Sequence, residues 1–197
     1  MTAPEVARVA DAALIEKSWH DPTAFAALYD RHAATIHRYA ARRLGPAAAD
    51  DLVAETFLAA FRLRARYELA RAEALPWLYG IAANLISKQR RAEVRMLRAF
   101  ARTGRDPALE GHADRVDDRV SAGALHRELA TALAQLSSGD RDVLLLVAWA
   151  DLSYEQVAAA LRIPVGTVRS RLNRARRKTR AVLGDVNPTT SKEARHG

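Results

Sequence analysis

The chain has 197 residues, of which 49% are hydrophobic, with 31 Lys and Arg against 23 Asp and Glu and no cysteine. That length fits one large domain or two small ones, the abundance of Ala, Leu and Arg favours helices over strands, and the cationic surplus favours a polyanionic partner. The missing cysteines exclude a disulfide framework and a thiolate zinc site, and the lack of an uncharged apolar run or signal-peptide core leads us to expect a cytoplasmic chain with no stable membrane insertion.

Residues 1–20 read as an N-terminal tail or short helix. Asp21 before Pro22 is an N-cap with proline at the first helical position, and Phe25, Leu28, Tyr29, Ile36, Tyr39 and Ala40 recur at helical spacing until Gly45 and Pro46 end the run. A second helix from about Ala47 to Arg66 buries Val53, Phe57, Ala60 and Phe61 and carries Asp51 and Glu55 one turn apart on another face. Pro76 opens a third, with Trp77, Leu78, Ile81, Ala82, Leu85 and Ile86 as its apolar stripe. These elements define a first domain over 21–98.

From 99 to 123 the periodicity fails and Gly104, Pro107, Gly111 and Gly123 punctuate the chain, which reads as a flexible linker. A second domain over 124–184 begins with Leu125, Leu129, Leu133 and Leu136 and continues through Val143, Leu144, Leu146, Val147 and Trp149. The polar tail 185–197 has too little apolar surface to order itself and is expected to stay disordered. The predicted fold class is all-α, two small helical domains with a helix-turn-helix in the C-terminal one.

The helix-turn-helix rests on local chemistry. Ser153 and Gln156 form a capping box at the start of a short helix, Tyr154 to Leu161; Arg162, Ile163 and Pro164 break it, and a further helix buries Val168, Leu172, Ala175 and Thr179. Its opposite face presents Arg169, Ser170, Asn173, Arg174 and Arg177, side chains that donate to base edges and phosphates in a major groove. Eight Lys or Arg and no acid lie between Arg162 and Arg180, so the local field attracts a phosphate backbone. The competing reading, a solvated basic helix, leaves the cap, turn and one-sided charge together unexplained.

In the first domain, Asn84, Lys88, Arg91 and Arg95 recur at intervals that make one face of the third helix polar and basic. Tyr67 and Trp77 offer aromatic surface on which unstacked bases can lie, although each alone is more often a core residue.

Three segments resemble sigma-70-type sigma factors: Asp-Leu-Val-Ala-Glu-Thr-Phe at Asp51 to Phe57, Pro-Trp-Leu-Tyr-Gly-Ile-Ala-Ala-Asn at Pro76 to Asn84, and Leu-Ser-Tyr-Glu-Gln-Val-Ala at Leu152 to Ala158. With Pro-Val-Gly-Thr-Val-Arg-Ser-Arg-Leu at Pro164 to Leu172 and the short length, the chain is similar to the extracytoplasmic-function (ECF) group, which keeps only the second and fourth sigma regions. The resemblance implies promoter DNA and core RNA polymerase as partners, the latter through the clamp helices of its largest subunit and the flap of its second-largest, and an anti-sigma factor as inhibitor.

By the same resemblance, Asp50, Asp51 and Glu55 would dock on the clamp helices, although Ala54 stands where many relatives carry glutamine. Tyr67, Trp77, Asn84, Lys88 and Arg91 would take the −10 element, and Thr167, Arg169, Ser170, Arg171, Asn173, Arg174 and Arg177 the −35 element.

Two rival readings compete with this one. A stand-alone helix-turn-helix regulator would share the last helices and use its first domain to dimerise or sense a ligand. An enzyme would need a catalytic constellation, yet the six histidines are scattered, and His32 and His37 fall on different sides of a helix. No catalytic residue, metal ligand or cofactor is therefore expected.

Overall fold

The computed structural model describes residues 9–103 and 116–183, with side chains from residue 126 in the second stretch. Among these residues there is no strand, and no helix is long and apolar enough to cross a membrane. The tail 185–197 and the centre of the expected linker lie outside the described residues.

The first domain contains α1 (Asp11–Lys17), α2 (Ala26–Leu44), α3 (Pro46–Leu63), α4 (Leu75–Lys88) and α5 (Arg90–Thr103). Asp21 is the expected cap, accepting from the Thr23 amide, but the first turn, Pro22–Phe25, is a 3-10 turn that leads into α2. The turn from α2 to α3 needs glycine, since Gly45 has φ +89° and a Cβ there would strike the Met96 side chain. Ile15, Leu28, Ile36, Leu52, Leu78 and Ile86 are essentially sealed from solvent. Edge-to-face rings Phe25–Phe61 and Tyr39–Tyr79, with centroids 5.3 and 5.1 Å apart, fill the space between helices.

The basic helix expected after Pro76 is two helices. The backbone leaves helical geometry at Gln89 (φ −92°, ψ 24°), so Asn84 and Lys88 belong to α4 and Arg91 and Arg95 to α5. All four remain exposed.

The second domain contains α6 (Val116–Gln135), α7 (Ser138–Ala148), α8 (Tyr154–Leu161) and α9 (Val165–Leu183) around Leu133, Leu136, Val143, Leu146, Val157, Val168, Leu172 and Ala175. The segment expected as linker is shorter than 99–123, because α5 runs through Thr103 and α6 starts at Val116. Gly104, Pro107 and Gly111 all fall between those ends; Gly123 lies within α6, where a glycine costs only about 1 kcal/mol relative to alanine.

The two domains pack on each other. α5 lies along α6 and α4 against α8, and the hydrophobic core is continuous across the boundary. At the seam is a buried quartet of two cations and two anions. Arg43 on α2 donates through Nε to Glu93 Oε1 (2.7 Å), through Nη2 to Asp142 Oδ1 (2.6 Å) and through Nη1 to the Tyr39 hydroxyl (2.7 Å).

Arg141 on α7 donates to Glu93 Oε2 (2.6 Å) and to the carbonyls of Leu133 (2.8 Å) and Leu136 (2.9 Å). Ser87 on α4 donates to Asp142 Oδ2 (2.9 Å). Such a cluster tolerates burial because every charge is matched and hydrogen-bonded. Burial pushes the Tyr39 hydroxyl well above its ordinary value, so it stays a neutral acceptor for Arg43. Beside the quartet, the Arg42 guanidinium of α2 sits 5.4 Å from the centre of the Trp149 ring.

Candidate polymerase and promoter interfaces

The helix-turn-helix is built as its residues dictate. The Ser153 hydroxyl accepts from the Gln156 amide (3.2 Å) and the Gln156 side chain accepts from the Ser153 amide (2.8 Å), which completes the capping box. Arg162 ends α8 in the left-handed region (φ 54°, ψ 48°), and the Ile163 amide closes the turn on the Ala158 carbonyl. α9 then starts directly after Pro164, whose carbonyl accepts from Thr167 and Val168.

Helix α9 buries Val168, Leu172, Ala175 and Thr179 and exposes Arg169, Ser170, Asn173, Arg174 and Arg177, which together form one outward cationic face. Thr167 and Arg171 are half-buried. Arg171 leans over α7, where a Cβ on Gly139 would lie 2.7 Å from its guanidinium. Arg174 is held by Asp140, its Nε 3.0 Å from both carboxylate oxygens and Nη2 2.9 Å from one. Burial alone would raise the Asp140 carboxyl, but the hydrogen bonds from Arg174 and Ser137 outweigh it and hold it below the ordinary aspartate value. The arginine is thus oriented at one edge while nearly half of its side chain stays open to solvent.

In the first domain the chain between α3 and α4 is tied down from two sides. Tyr67 is buried, and its hydroxyl lies 2.6 Å from the Arg71 carbonyl and 2.9 Å from that of Glu73, donating into the pair. Its ring meets Trp77 at 5.0 Å between centroids, and burial pushes its hydroxyl up to about 12.

From the other side, Asp11 on α1 accepts from the Ala74 amide (2.9 Å) and lies 2.8 Å from His32 Nε2, with Arg31 on its second oxygen. Burial opposes the Asp11 charge; the Ala74, His32 and Arg31 contacts overcome that and lower its pKa. Tyr67 therefore shapes the loop and offers little open surface, while Trp77 is half-buried and Asn84, Lys88 and Arg91 are exposed. The Asp11 anchor was not singled out in the sequence. One acid in an N-terminal segment that also holds Glu5 and Glu16 carries no sign of a partner some sixty residues away.

The acidic ridge stands on α3. Asp50, Asp51 and Glu55 are exposed, and so is Ala54 between them. Leu58 at 49% and Tyr29 at 45% exposure add apolar surface, the Tyr29 ring resting edge-on against Phe57 at 4.9 Å. An anionic ridge with an apolar shoulder fits a cationic helical partner better than solvent alone. Among the described residues, His37 lies against the ridge, its Nε2 3.3 Å from Asp50 Oδ1.

The two domains coincide with two family matches. Residues 28–96 match the model of sigma-70 region 2, and residues 126–179 that of sigma-70, region 4. The ECF RNA polymerase sigma factor SigL of Mycobacterium tuberculosis is 36% identical over 185 residues, covering 93% of this chain and 99% of its own. The RNA polymerase sigma factor CarQ of Myxococcus xanthus is 35% identical over 164 residues, covering 83% and 91%.

Of solved structures, CnrH in complex with the cytosolic domain of CnrY aligns with a TM-score of 0.58 at 26% identity, over 90% of this chain and 99% of that one. The sigma factor RpoE of Bartonella quintana, solved with the anti-sigma factor NepR, shares the fold with a TM-score of 0.57 at 23% identity, over 83% and 98%. Two helical domains with a capped helix-turn-helix, two family matches in the right order and relatives alike along nearly their whole length place the chain in the ECF group of sigma-70 family RNA polymerase sigma factors.

Proposed function

We propose that this sigma factor grips the polymerase clamp helices through Asp50, Asp51 and Glu55, reads the −35 duplex through Arg169, Ser170, Asn173, Arg174 and Arg177, and holds the melted −10 strand on Trp77, Asn84, Lys88 and Arg91. Thr167 and Arg171 flank the −35 face, and Tyr67 shapes the −10 loop. The observation that carries this reading is the segregation of charge: an acid-only ridge on α3 and an acid-free reading face on α9 sit on different elements of one chain. Cations on α9 gain from displacing counterions on the duplex, and aromatic and amide groups at the first domain hold unstacked bases.

No bond is made or broken in this scheme; strand opening is driven by binding the opened strand better than the closed one. It places the chain in the cytoplasm with core polymerase, subject to an anti-sigma factor that covers these faces. Run-off transcription with purified core polymerase on a promoter library tests it. The expected result is initiation at a defined set of sites that depends on the added chain. DNA protection by the chain alone, with no effect on polymerase, would instead indicate a stand-alone regulator.

A further inference from the structure

We infer that Asp140 is a specificity-determining residue that positions Arg174, so that the open end of the Arg174 guanidinium reads a guanine within the −35 duplex. The inference deepens the −35 assignment proposed above and rests on it. Asp140 lies outside the reading helix, in the first turn of α7, where its amide donates to the Ser137 hydroxyl (3.2 Å) and its side chain is buried. Its carboxylate occupies one edge of the arginine, the edge formed by Nε and Nη2.

A guanidinium carries two forks of parallel donors, one along its side and one at its tip. Asp140 fills the side fork. Among the described residues no hydrogen bond reaches Nη1, so the tip fork of Nη1 and Nη2 stays open on a side chain that is nearly half exposed. In a major groove, two parallel donors match the O6 and N7 of guanine, the one base that shows two acceptors side by side there. The next cation on this face differs. Arg177, one turn along α9, is exposed and makes no hydrogen bond or ion pair among the described residues, so it is free to follow a phosphate. Arg174, held from the side, has less freedom to lose on meeting a base and less reach toward the backbone. Helix α9 thus supplies the donors and α7 their direction.

The test scores base preference at every position of a randomised −35 element bound by holoenzyme carrying the parent chain, Asp140→Asn, Asp140→Ala or Arg174→Ala. The parent is expected to favour guanine about tenfold at the one position whose preference Arg174→Ala abolishes. Asp140→Asn, which keeps the side chain's shape, and Asp140→Ala, which removes both acceptors, should each cut that preference to about twofold and leave the other positions as they were. Adding Asp140→Asn to Arg174→Ala should change nothing further, because the pair acts as a unit. An unchanged preference in both Asp140 variants, or uniform weakening across the element, overturns the positioning role. A base other than guanine at the position that depends on Arg174 overturns the readout. If the parent leaves the start sites of core polymerase unchanged, the sigma-factor reading falls, and the same selection with the chain alone still decides whether Asp140 governs a guanine preference.

Discussion

Replacing Asp11 by alanine tests whether the loop before α4 is held from outside its own sequence. The carboxylate accepts from the Ala74 amide, contacts His32 and pairs with Arg31. Ala74 is fully buried, so its amide would be left without water or protein acceptor, a loss of about 1–3 kcal/mol. Arg31 is a quarter exposed and recovers hydration, so its share is small, and the total is about 2–4 kcal/mol. Asp11→Asn keeps an acceptor oxygen for Ala74 and should lose about 1 kcal/mol.

The assay is urea unfolding of the full chain, paired with binding of a single-stranded −10 oligonucleotide to the reconstituted holoenzyme. Asp11→Ala should weaken strand capture several-fold and leave affinity for a −35 duplex unchanged. Stability within 0.5 kcal/mol of the parent, or undiminished strand capture, would refute the reasoning.

The double change Asp51→Arg, Glu55→Arg should reduce core-polymerase binding at least tenfold in a pull-down titration without moving the melting temperature, because both side chains are exposed. Arg174→Ala should lose about tenfold in holoenzyme affinity for its −35 element and relax base preference there only, read by competition with mutated elements. For acid titration the sign follows from Asp11 and Asp140, both lowered in the folded chain from 3.8: their stabilisation is present above that value and lost as pH falls through the lowered ones. Asp11→Asn should flatten the acid limb of a stability-against-pH curve. Tyr67 acts in the opposite direction. Its hydroxyl is raised from 10.0 to about 12, so stability should be intact below pH 10 and decline between those values.

Local signals were legible and distant pairings were not. The Ser153–Gln156 box, the break at Pro164 and the buried Val168, Leu172, Ala175 and Thr179 stripe are written within a few residues of one another, and the structure reproduces each. The exposed acids of α3 follow from helical periodicity in the same way. Arg43, Glu93, Arg141 and Asp142 carried no such mark. A charged residue in a helix is solvated by default, and the fact that these four neutralise one another depends on how α2, α5 and α7 meet. The break at Gln89 was hidden because glutamine is a good helix former, and Tyr67 was ambiguous because a tyrosine, more often a core strut, can also serve as a stacking platform.

The quartet at the seam adds as much positive as negative charge, so forming or breaking it leaves the long-range field of the molecule, with its formal surplus of +8, almost untouched. Ionic strength therefore acts on the exposed arginines of α9, the proposed −35 face, and hardly at all on the interior joint. A change of salt would tune how tightly the protein clings to phosphate without altering how its halves sit together.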